Sequence, residues 1–124
     1  MDIDSFAELV AEALEGLPEE FLERLENIQV DVEEWPTPAE LVGAGLTPND
    51  RYGLLGLYHG VPLTDRHSQY MALPDRITIY MRPLLAAAGT GETGIMERVR
   101  HTVVHEIAHY YGIDDDRLEE LGDY

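Results

Sequence analysis

The sequence predicts an α+β fold: a small mixed sheet packed on helices, with a long helix near the C-terminus. Three features predict it. Apolar residues recur at helical spacing over the first 25 residues, short segments later alternate apolar and polar residues, and a glycine-bounded helical pattern spans about residues 92 to 111. A chain of 124 residues fits a single domain over 1–124 and can bury a core without staples.

In chain order, Phe6, Leu9, Val10, Ala13 and Leu14 share one helical face after a cap at Asp4 or Ser5, so residues 5–15 read as an amphipathic helix that Gly16 ends. Pro18, well placed in a first turn, opens a second helix through Phe21, Leu22 and Leu25. Ile28, Val30 and Val32 alternate with polar neighbours in IQVDVEEW, the mark of a half-buried strand, and Pro36 stops it. A Pro- and Gly-punctuated stretch follows, with a short helix around Ala39 to Val42. LLGLYHG (54–60) reads as a second strand and RITIYM (76–81) as a third, joined by a polar loop. Gly89, Gly91 and Gly94 break the chain before the long helix, which carries Ile95, Val99, Val103, Ile107 and Tyr110 along one side and stops at Gly112. A short helix at about 115–121 closes the chain, and the sheet has three or four strands.

Composition limits the chemistry. There is no cysteine, so disulfides and thiolate metal sites are excluded, and any metal takes nitrogen and oxygen ligands. With 25 Asp and Glu against 8 Arg and no Lys, the net charge of −17 repels nucleic acid and anionic membranes and favours cationic or neutral partners. A solvated, solubilising surface is the simpler reading of that charge. The acidic start MDIDSFAELVAEALEGL is unlike a signal peptide, and no apolar run approaches the roughly 20 residues of a membrane span. A cytoplasmic protein is expected.

HEIAH sets His105 and His109 four residues apart on the predicted helix, one turn apart on one face, so both imidazoles can reach one ion. Zinc takes imidazole nitrogen readily, and a catalytic zinc needs about three protein ligands with a fourth position open to water. Glu106 points about 100° around the helix from His105, beside the ion rather than onto it. That suits a general base for water, whose pKa zinc brings down to about 7. The third ligand is expected among the 15 residues after His109. Gly112 can take a positive φ and turn the chain back, which favours Asp115, with Asp114 and Asp116 as close competitors.

The run HEIAHYYGIDDDRLEELG, in an HExxHxxGxxD pattern, resembles the minimal zincin-like metallopeptidase family of bacterial proteins, as do LLGLYHGVPLTDR and LPDRITIYMRPL upstream. The likeness covers about residues 20–124. It implies a compact zincin-like core with His105, His109 and Asp115 as the zinc ligands and Glu106 as the base. It also implies hydrolysis of peptide bonds. The larger metzincins place a Met under the metal, whereas the methionines here are Met1, Met71, Met81 and Met96, all before Asp115. Tyr124, Tyr110 or Tyr111 is expected in that space.

Two functional classes follow. One is a zinc-dependent peptidase acting on peptides or proteins; the alternative is a non-catalytic metal- or peptide-binding protein that keeps the core, as a homodimer. The RITIYM segment is a candidate edge strand for pairing with an extended peptide, although a core strand needs the same alternation. His101, one turn before His105, is read first as a satisfied surface or core His and second as a support for the site or a substitute ligand. Arg117 is read as pairing with Glu120, and Tyr58, Tyr70, Tyr80 and Trp35 as packing. His59 and His67 carry no spacing signal.

Overall fold

The computed structural model describes residues 1–60 and 75–112. Helix α1 runs Ile3–Glu15 and starts two residues earlier than its apolar pattern suggests, because Asp2 is the cap and its carboxylate accepts the Ser5 N–H at 2.8 Å. Phe6, Leu9, Val10 and Ala13 are its buried face. Helix α2, Glu19–Leu25, is opened by Pro18 at the cap position and buries Phe21. Helix α3, Pro38–Gly43, has a complete capping box: Thr37 Oγ1 accepts the Glu40 N–H at 3.1 Å and Glu40 Oε1 accepts the Thr37 N–H at 2.9 Å.

Strands β1 (Ile28–Glu33), β2 (Gly56–His59) and β3 (Asp75–Tyr80) form a mixed sheet in the order β1-β3-β2. β3 runs parallel to β1, with Val30 opposite Ile77, and antiparallel to β2, with Tyr58 opposite Ile77. RITIYM is therefore the central strand, hydrogen-bonded on both sides, and the expectation that it lies at an edge is corrected. Its row of buried residues from Ile77 to Tyr80 fits a strand covered on both faces. Among the described residues β2 and β1 are the edges.

Met81 is not the last strand residue. It begins helix α4, Met81–Ala88, an element that the alternation of RITIYM obscures because strand passes into helix with no intervening Gly or polar turn. Pro83 falls in the first turn of α4, where its missing N–H costs no helical bond. Helix α5 spans Glu92–Tyr111 and ends at Gly112, whose φ of 73° is the left-handed conformation that an L side chain resists.

Helices α1, α4 and α5 cover one face of the sheet, and the core lies between them: Phe6, Val10, Ile77, Ile79, Leu84, Val99, Val103 and Ile107 are all buried there. Arg100 of α5 donates to the Ala13 carbonyl at 3.3 Å, tying the end of α1 to α5. α5 also crosses close over β2, where a Cβ on Gly56 would stand 2.7 Å from Thr102 Cγ2 and 3.3 Å from the Thr78 carbonyl oxygen. Tyr110 departs from the expected buried stripe of α5 and is 46% exposed. The proposed helix at 115–121 lies outside the described residues.

Candidate metal centre

α5 carries His105, Glu106 and His109 out of the core on its last two turns. Val103, Val104, Ile107 and Ala108, interleaved with them, are buried and fix the rotation of the helix. His105 and Glu106 are half-buried, and His109 is exposed.

The two imidazole ring centres are 5.9 Å apart with their planes crossed at 85°. A nitrogen about 2.1 Å from zinc puts its ring centre roughly 3.2 Å from the ion, so two rings sharing one ion at a tetrahedral angle lie roughly 5.2 Å apart. The observed pair is close to that spacing, and the donor set of two imidazoles suits zinc. Asp115, with its competitors Asp114 and Asp116, lies outside the described residues. Among the described residues no group of three or more His, Asp or Glu side chains is gathered as a metal site.

Glu106 reaches the sheet from beside the histidines. Its Oε1 accepts the backbone N–H of Tyr58 at 3.1 Å, from a residue 48 positions earlier in the chain. Burial raises its carboxyl pKa above the ordinary 4.5, opposed by the Tyr58 amide and by His109 and His105 nearby. A carboxylate held by one amide, short of full solvation and beside two imidazoles, is equipped to take a proton.

The sheet register explains why that amide reaches Glu106 rather than the ladder. The Tyr80 N–H donates to the Leu55 carbonyl at 2.9 Å, so along β2 the residues that bond β3 alternate through Leu57 and His59, and the Tyr58 amide faces outward from the edge. The Tyr58 side chain points toward α5, where its ring stacks on Tyr110 at 4.0 Å and 18°, and its hydroxyl donates to Asp75 Oδ2 at 2.5 Å. Sequence reasoning read Tyr58 as packing and passed over Asp75. Only the pairing of β2 with β3 exposes their part, and the Glu106 contact is made by a backbone atom that no side-chain motif records.

His101 stacks on His105, with ring centres 4.2 Å apart and a 32° tilt. Burial, then the neighbouring His105 and Arg98, lower its pKa below the usual 6.5. Tyr110 lies on Tyr58, and Tyr111 lies 4.5 Å from the Arg24 guanidinium. Tyr124, Arg117 and His67 lie outside the described residues. His59, which carried no spacing signal, stands 3.8 Å from Glu40. Trp35 packs edge-on against Tyr52, with Arg51 over its face.

The structure is similar to a conserved hypothetical protein from Thermus thermophilus, with 26% identity and a TM-score of 0.49 over 91% of this chain and all of the other. No curated protein matches the chain. A profile described as zincin-like metallopeptidase matches residues 25–123, which takes in β1, the whole sheet and α5 with HEIAH. The chain belongs to the zincin-like metallopeptidase family.

Proposed function

We propose that the protein is a zinc-dependent peptidase in which His105, His109 and Asp115 hold the metal and Glu106 is the general base. The observation that carries this reading is the Glu106 carboxylate, raised in pKa by burial and oriented by the Tyr58 amide, next to an imidazole pair at zinc-sharing distance. Bound zinc would polarise the scissile carbonyl and acidify water. Glu106 accepts the proton of the attacking water and returns it to the leaving amine nitrogen. β3, hydrogen-bonded on both sides, offers no free edge for pairing with an extended peptide. The same reading gives the protein peptide or protein substrates in the cytoplasm, with neither nucleic acid nor membrane as partner. Among the described residues no helix is long and apolar enough to cross a membrane.

Zinc content and cleavage of a peptide library test the proposal. The expected result is one zinc per chain and measurable cleavage, with Glu106→Gln retaining the zinc and losing about 10²- to 10⁴-fold in kcat. Zinc-loaded protein that cleaves no peptide would favour the non-catalytic metal- or peptide-binding alternative. Failure of the unmutated protein to take up zinc, even after reconstitution, would end the metal hypothesis.

A further inference from the structure

A strand edge and a buried carboxyl meet beside the proposed base. Asp75 begins β3 with only 5% of its surface exposed, and such burial of a carboxyl group is unfavourable unless hydrogen bonds compensate it. Its Oδ2 accepts the Tyr58 hydroxyl at 2.5 Å. The Tyr58 ring is pressed from the other side by Tyr110, one turn beyond Glu106 on the same face of α5. The side chain of Tyr58 is thus fixed at its tip by β3 and on its face by α5, while its own amide reaches Glu106.

We infer that Asp75 and Tyr58 are positioning residues for Glu106: Asp75 holds the Tyr58 phenol, and Tyr58 in turn holds its backbone N–H on the Glu106 carboxylate. The helix supplies the base, and the sheet sets its direction. Neither residue touches the reacting atoms. The functional half of this inference rests on the peptidase reading, while the geometric half stands without it.

The test uses zinc-reconstituted protein carrying Tyr58→Phe, which keeps the stacked ring and the backbone amide but removes the hydroxyl. Asp75→Ala removes the acceptor, and Asp75→Asn, which keeps an acceptor oxygen, is the rescue. Two quantities are read: kcat and KM on a peptide cleaved by the unmutated protein, and hydrogen exchange of the residue-58 amide by NMR. Tyr58→Phe and Asp75→Ala are expected to lower kcat about ten- to a hundredfold with KM within about twofold and zinc content unchanged. Exchange at residue 58 should quicken while Ile77 and Ile79 in β3 keep their protection, and Asp75→Asn should recover most of both losses.

Unchanged kcat and unchanged exchange in Tyr58→Phe would overturn the inference. So would a uniform rise in exchange across β2 and β3, which marks a merely structural contact. If the unmutated protein cleaves nothing, the peptidase reading fails, and the residue-58 exchange still decides the positioning contact. An Asp75→Ala variant that fails to fold leaves the decision with Tyr58→Phe.

Discussion

Glu106 is the residue whose environment departs furthest from what helix position alone provides. Its folded-state pKa is raised, so the folded protein holds that proton more tightly than the unfolded chain does. The stability consequence follows from the sign: the contribution is most favourable below about 4.5, the ordinary value, and is lost as pH rises through the elevated folded one. At neutral pH, above the ordinary value, the part-buried Glu106 therefore costs stability. In metal-free protein Glu106→Gln is expected to raise the melting temperature at pH 7, with the gain disappearing below about pH 4.5; calorimetry across that range checks it. A variant less stable than the unmutated protein at pH 7 would contradict this account. Much of the candidate site was legible at this scale, since HEIAH names His105, Glu106 and His109 by spacing alone. Tyr58 and Asp75 were not, because a backbone amide becomes a partner for Glu106 only once an edge strand and its register exist.

At the scale of elements, α5 was readable in extent, with Gly112 its end, and apolar spacing set its face as far as Ile107 but not at Tyr110. α4 was missed because Met81 continues the alternation of β3 and Pro83 resembles a stop when its position in the first turn is unknown. The central place of β3 was also hidden, since a two-residue period reports burial and not which neighbours supply the hydrogen bonds. The contact of α5 with β2 carries a prediction. Gly56→Ala drives a methyl group onto Thr102 Cγ2, and Thr102 is hard to move because it is 8% exposed and its hydroxyl bonds the Arg98 carbonyl at 2.7 Å. A loss of about 1–3 kcal/mol in chemical denaturation is expected, as for other overpacked sites. In α3, Thr37→Ala removes one half of the capping box and should cost about 1 kcal/mol by the same measurement.

For the whole molecule the dominant quantity is charge. Eight arginines against 25 acidic groups leave a net −17, a field that attracts cations toward any open cleft. If the protein cleaves peptides, kcat/KM for an Arg-rich peptide should exceed that for an acidic peptide of the same length at low salt. The advantage should shrink as ionic strength rises from about 0.02 to 0.5 M, where screening shortens the reach of the field to a few ångströms. Equal rates for the two peptides at low salt would show the charge to serve solubility alone, the simpler reading of the composition.

The bond between Glu106 and the Tyr58 amide spans 48 residues of sequence, and β1 reaches its parallel partner β3 across a similar length of chain. Helices form locally and quickly, whereas pairings between distant segments await closure of the intervening loops. In a refolding chain the imidazole pair on α5 can therefore exist while Glu106 still swings freely. In the proposed site the imidazole pair would be in place before the base is oriented, and the interval between the two would be set by the docking of β2 against α5.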